Sequence, residues 1–283
     1  MRKIKLTCDS TCDLTPALYE SRDIEVIPLG IILGDDLKYD GRDITASEVF
    51  DYVDQTGRLP KTSGISVGEY MTVFQKYVDQ GFDVIHINLS SDLSVSHQNA
   101  RLAAEEIDQV SVIDSRSLSS GSGHLALLAA DLIEQGHSRD EIVRRLNEKK
   151  ADLDVSFILQ TLEYLHKGGR CSGLTALGAG ALRIRPEIQV VDGRMQVGRK
   201  YRGKQDKSIL SYVRGRLEGR NDIDLSRIIV THSGVAQDIL DRVMALIEEL
   251  QPFEDRLITQ AGCTISSHCG PDTLGLLFFR KTA

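Results

Sequence analysis

The chain has 283 residues, 41% of them hydrophobic and 27% charged, a balance that supports a sizeable core and excludes intrinsic disorder. Its formal charge is −7 with acids and bases interspersed, so no nucleic-acid partner is expected. Five cysteines, odd in number and without ligand spacing, exclude a disulfide framework and a thiolate metal site.

Ile4–Cys8 reads as a strand, and Ile24–Leu33 as one longer strand weakened at Pro28. Ala46–Gln55 and Val67–Gln80 carry helical spacing. Val84–Leu89 reads as a buried strand, Ser94–Ile107 as a helix and Val110–Ile113 as another strand. His124–Gln135 and Arg139–Lys150 are helices split by Gly136. This alternation predicts an N-terminal α/β domain with a mainly parallel sheet covered on both faces.

The pattern changes near Ala151. Asp154–Leu159 reads as a strand, Leu162–Lys167 as a short helix stopped at Gly168-Gly169, and residues 173–183 as a tightly packed helix. Glu187–Val191 and Met195–Tyr201 flank Asp192-Gly193, a strong hairpin signal. Helices at Lys207–Glu218 and Val235–Glu249 alternate with strands at Arg227–Thr231, Arg256–Gln260 and Leu274–Phe279. A C-terminal two-layer α/β domain with a mixed sheet is expected. The domains are placed at residues 1–152 and 153–283, with a ligand cleft between them.

Several stretches mimic known sites. Gly64-Ile65-Ser66-Val67-Gly68 fits the hydrolase elbow, but Arg58–Thr62 before it is no buried strand, and Ser66 with Glu69 makes a helix capping box. Asp36–Ser47 resembles a calcium loop but has Lys38 and Ser47 where ligands are needed. Gly121–Ala126 fits G-x-G-x-x-A, yet the chain is still helical where the second strand of a dinucleotide fold belongs. No metal or cofactor is expected. Ser90–Ser94 follows a strand and leads into a helix, so Ser94 is read either as a cap or as part of an anion site. Thr62-Ser63 is read as loop, and His268 as part of a polar loop at Ser266–Pro271.

Taken in order, Asp9-Ser10-Thr11-Cys12-Asp13-Leu14, Lys61-Thr62-Ser63, Ser90–Ser96, Val112-Ile113-Asp114-Ser115, Thr161–Arg170 and His268–Gly275 resemble motifs of the DegV family. Gly64-Ile65 and Val95-Ser96 depart from its pattern. The resemblance covers essentially the whole chain. It implies two α/β domains with the acyl chain of one long-chain fatty acid in a tunnel between them. It implies that Thr62 and Ser94 hydrogen-bond the carboxylate with His268 close by. Ser63, Ser91, Arg170 and Arg202 are secondary candidates, the two arginines near the head group or a docking face. The family includes the fatty-acid-binding subunits of bacterial fatty acid kinase, so a kinase catalytic subunit is an expected partner, with transient membrane-surface contact to collect the lipid. No catalytic residue of its own is implied. Two other classes stay open at this stage: a serine-dependent lipid or ester hydrolase using Ser94 or Ser66 with His268, and a lipid-responsive regulatory module. The charged start Met1–Asp9 does not read as a signal peptide, and no run of about 18 apolar residues occurs, so a cytoplasmic location is expected.

Overall fold

The computed structural model describes residues 2–170 and 184–282, so the helix expected at residues 173–183 lies outside the described residues. The chain begins with β1 (Lys3–Asp9), α1 (Pro16–Ser21), β2 (Ile24–Ile27), β3 (Gly30–Leu33), β4 (Asp36–Tyr39), α2 (Ala46–Thr56) and β5 (Lys61–Ser63). It continues through α3 (Val67–Asp79), β6 (Phe82–Asn88), α4 (Ser96–Glu105), β7 (Val110–Asp114), α5 (Ser120–Glu134) and α6 (Arg139–Lys149). Then follow β8 (Leu153–Ile158), α7 (Glu163–Lys167), β9 (Ile184–Val191), β10 (Arg194–Arg202) and α8 (Gln205–Leu217). The last elements are β11 (Ile223–Ser233), α9 (Gln237–Leu250), β12 (Asp255–Gln260), α10 (Cys263–Cys269) and β13 (Thr273–Arg280).

The result is a two-domain α/β fold. The first sheet is parallel, in the order β2-β1-β6-β7. The second is mixed, in the order β10-β9-β8-β13-β11-β12, with β11 and β12 parallel and the other neighbours antiparallel. A small antiparallel sheet, β4-β3-β5, stands beside them. Its existence corrects the expectation of one strand over Ile24–Leu33. Pro28 has no N–H to give a ladder, and the chain leaves the parallel sheet there to start a different one.

Three helical layers explain how the sheets are held. Tyr70 and Phe74 of α3 and Ala100 and Ala103 of α4 cover one face of the parallel sheet. The other face packs on α5 and α6 through Leu125, Ala129, Ile142 and Leu146, and the same core takes in Ile229 and Phe279 of the mixed sheet. Helix α5 is thus shared by both sheets, and eleven of its fifteen residues are buried. A helix buried all round has no polar face, which is why its Ala- and Leu-rich pattern shows weak amphipathic periodicity. Helices α8 and α9 cover the far face of the mixed sheet, with Tyr212, Val213, Val243 and Ile247 on Ile228, Val230 and Phe278.

The glycines of Gly121–Ala126 serve this packing. A Cβ on Gly123 would stand 2.6 Å from the Cys12 carbonyl oxygen and 2.8 Å from the Leu14 side chain. Alanine in a helix ordinarily stabilises by about 1 kcal/mol over glycine. Here we expect Gly123→Ala to destabilise the protein by about 2 kcal/mol instead, because a backbone atom must move. Urea unfolding checks the sign.

Candidate ligand-binding site

Three segments distant in sequence meet at the junction of the domains. The first is β5, where Thr62 pairs with Ile31 of β3. The sequence reads as loop here because three residues carry no alternation signal. The second is the turn after β6, Ser90–Ser94. The third is α10, which replaces the polar loop expected around His268. A short helix of small polar residues has no local signature, and it is held from far away. Asp40, only 3% exposed, accepts from the backbone N–H of Cys263 (2.7 Å) and Thr264 (3.0 Å) at its start. Asp13 accepts from Gly262 N–H (2.8 Å), and Ser10 donates to Asp40 (3.2 Å). Burial pushes the Asp13 carboxyl well above the usual range, partly offset by hydrogen bonds from Ser119 and Gly262. The Asp40-Gly41 pair seen in the calcium-like stretch therefore caps a helix across the domain junction. Among the described residues no group of three or more His, Cys, Asp or Glu is arranged to hold a metal.

His268 Nε2 and Thr62 Oγ1 are 2.9 Å apart. The other ring nitrogen, Nδ1, is buried with no partner among the described residues, and Gly168 is packed so close that a Cβ there would fall 2.4 Å from it. Burial, with a smaller contribution from Arg170, lowers the His268 pKa to about 4, so the ring is neutral at pH 7. Arg170 is itself partly buried, which lowers its own pKa, and its guanidinium donates to Gly168 O (2.8 Å).

Ser94 stands just before Val95, the N-cap of α4, and its side chain is tied to the start of that helix. Its Oγ accepts from Ser96 N–H (3.1 Å) and donates to Ser96 Oγ (3.0 Å) at the start of α4. The neighbouring strand lies against it: a Cβ on Gly64 would be 3.6 Å from Ser94 Oγ and 3.0 Å from Val95. Ile65 N–H donates to Ser96 Oγ (3.3 Å), and Asn99 donates to Ile65 O (2.7 Å). The two departures from the family pattern, Gly64-Ile65 and Val95-Ser96, thus touch each other. Glycine at 64 leaves room for the side chain of Val95.

Thr62, Ser91, Ser94, Arg170 and His268 all line one cavity of about 810 Å³, together with Leu89, Leu118, Leu165 and Met195. Ser63 and Arg202 do not line it. Ser63 is the next residue along β5, on the opposite side of the strand, and Arg202 is exposed at the end of the edge strand β10. Leu118, Ile265 and Cys269 also border a narrow inner cleft against the mixed sheet, with Val155, Phe157 and Leu277 around it. The apolar lining from Leu118, Leu165 and Met195 was not foreseen, because nothing local distinguishes these residues from ordinary core.

The arrangement does not assemble a serine hydrolase. Ser94 bonds Ser96, His268 bonds Thr62, and among the described residues Nδ1 of His268 has no acid to orient it. Ser66 is engaged with Glu69 in the capping box.

A model of the DegV family, described as "Uncharacterised protein, DegV family", matches residues 3–281. The chain belongs to the DegV family. A DegV domain-containing protein of Clostridium perfringens is 30% identical to it over 99% of this chain and 100% of its own. The solved structure of a fatty-acid-binding DegV family protein from Thermus thermophilus has 31% identity and a TM-score of 0.88, covering 99% of this chain and 100% of that one. A stearic-acid-binding protein from Eubacterium ventriosum has 27% identity and a TM-score of 0.86, covering 98% of each chain. No helix among the described residues is long and apolar enough to cross a membrane.

Proposed function

We propose that this protein binds one long-chain fatty acid, of palmitate-like length, and carries it or presents it to a fatty acid kinase catalytic subunit. The observation that carries the reading is the convergence of the Thr62 and Ser94 hydroxyls with His268 in one cavity that adjoins a narrow apolar cleft against the mixed sheet. The fatty-acid ligands of the Thermus and Eubacterium relatives support the ligand class. With the domains taken to meet at residues 152/153, the carboxylate sits at the junction and the tail runs inward. Ser91 and Arg170 border the same cavity, and Arg170 supplies positive charge towards the head group.

The energetics agree. About 14 methylenes gain roughly 0.8 kcal/mol each on burial, near 11 kcal/mol in all. Association costs on the order of 4–15 kcal/mol, so the tail alone is not enough for tight binding. A carboxylate taken from water needs donors. Two hydroxyls supply them once each proton is redirected, that of Thr62 from His268 and that of Ser94 from Ser96 Oγ. The head-group end is the open end: Ser91, Asp92 and Val95 are exposed at its rim, so a partner can reach the carboxylate.

Mass spectrometry of lipid extracted from the purified protein tests this. We expect one long-chain carboxylic acid per chain. A protein that carries no acyl chain and does not take up added palmitate would overturn the reading.

A further inference from the structure

Ser94 is held by a set of contacts that reaches into the other half of the molecule, and their centre is Arg116. Its guanidinium donates to Asp92 (2.6 Å), to Ser91 Oγ (3.3 Å), to the Asp192 side chain (3.3 Å) and to the Asp192 carbonyl (2.5 Å). Asp192-Gly193 is the tip of the β9–β10 hairpin, where φ values of 48° and 80° define the turn. The tip is seated tightly. A Cβ on Gly193 would lie 2.5 Å from Ser90 Oγ and 2.9 Å from Arg116 Cζ, so glycine is required for this approach as well as for the turn.

The loop between these contacts and Ser94 is fully tied. Ser90, completely buried, donates to Gly193 O (2.9 Å) and accepts from Asp92 N–H (3.2 Å). Ser91 N–H donates to Asp114 (3.2 Å), whose same oxygen accepts from Arg116 N–H (2.9 Å). Arg194, on the far side of the hairpin tip, donates to the second oxygen of Asp92 (3.1 Å). Ser94 N–H then donates to Ser90 O (3.3 Å). Arg116 itself adopts a left-handed backbone, φ 52°, uncommon for a side chain of its size. The Arg116 guanidinium and the Asp92 carboxylate are each about a quarter exposed, whereas Asp192 stands largely in solvent, so the fixed direction of the bonds matters more here than their charge.

We propose that Arg116 is a positioning residue for the ligand: by clamping the Ser90–Ser94 loop to the β9–β10 turn, it presets the Ser94 hydroxyl for the carboxylate without touching it. This rests on the fatty-acid reading above. A bidentate arginine suits the task because its planar fork fixes direction as well as distance. A loop left to settle on its own would lose affinity through ordering on binding.

The test is a palmitate titration of the full chain in seven variants: Arg116→Ala, Arg116→Lys, Asp92→Asn, Ser94→Ala, Thr62→Ala, and Arg116→Ala combined with each of the last two. Arg116→Ala is expected to weaken binding roughly tenfold, with Arg116→Lys recovering part of the loss. Asp92→Asn is expected to weaken it similarly, and it carries the test if Arg116→Ala fails to fold. The decisive comparison is the background. If Arg116 acts through Ser94, its loss costs less than about twofold once Ser94 is alanine, and the full tenfold when Thr62 is alanine. An equal loss in both backgrounds would make the clamp a general staple and overturn the proposal, as would unchanged binding in Arg116→Ala. Wild-type protein that does not bind palmitate would instead sink the fatty-acid reading itself.

Discussion

Replacing Thr62 and Ser94 together by alanine is expected to weaken palmitate binding about one hundredfold while leaving the fold intact. In the proposed complex each hydroxyl gives a hydrogen bond to a charged oxygen, a bond worth about 1.5–3 kcal/mol. Two at the low end give about 3 kcal/mol, which is near a hundredfold in Kd. The tail term, near 11 kcal/mol, is untouched, so weakened binding remains measurable. Hexadecanol provides the control, since it has the same tail and no carboxylate. The double variant should bind the alcohol about as well as wild type does. Neither residue carries the core: both are partly exposed, Thr62 on the short strand β5 and Ser94 in the turn before α4. Calorimetric titration with both lipids decides the matter. Unchanged palmitate affinity would remove these hydroxyls from the head-group site, and equal losses for palmitate and hexadecanol would move their role to the tail.

The parts of this molecule that were legible in the sequence are those whose cause is local. Asp192-Gly193 reads as a hairpin turn because both residues accept a positive φ, and the strands on either side pair as that turn requires. Ser66 and Glu69 read as a capping box and form one. The alternation of strands and helices gives the parallel sheet and then the mixed one. What was missed has distant causes. Helix α10 begins where Asp40 and Asp13 meet the amides of Gly262, Cys263 and Thr264, partners more than two hundred residues away in the chain. Strand β5 exists because β3 pairs with it, and β3 is separate from β2 because Pro28 ends the first sheet's ladder. The contact between Thr62 and His268 spans 206 residues. Their residue types follow family motifs, yet their meeting is a property of the fold. The same holds for Gly64 and Val95: each is a departure from the family pattern on its own, and only their contact shows that one makes room for the other.

Acid is expected to erode the stability of the protein between pH 6.5 and about 4 through two histidines outside the ligand site. His86 is fully buried beside Tyr70 and Phe74, with Nδ1 2.8 Å from Thr7 Oγ1 and Nε2 without a partner. His124 in α5 is 1% exposed, with Nε2 donating to Leu277 O at 2.9 Å and Nδ1 without a partner. Protonating either ring would bury a second N–H that has no acceptor. Burial accordingly lowers the His86 pKa from 6.5 to about 3 and that of His124 from 6.5 to about 4. In this window the unfolded chain binds the proton and the folded one does not, so stability is fully present above pH 6.5 and is lost as pH falls towards the folded values. Each histidine contributes a slope of about 1.4 kcal/mol per pH unit, and the two together about 3. Asp9 and Asp13 act in the opposite direction, because burial raises both carboxyls and the folded state then gains from acid down to the ordinary 3.8. A difference measurement removes them. His86→Asn and His124→Gln each keep the hydrogen bond made by the engaged nitrogen and cannot titrate. The double variant should be less stable than wild type at pH 7, through lost packing, but the gap should narrow by about 2 kcal/mol between pH 6 and 5. Urea unfolding at a series of pH values reads this directly. Parallel curves for the two proteins would mean that these histidines are already charged in the folded state, and that water reaches two ring nitrogens the packing is built to seal.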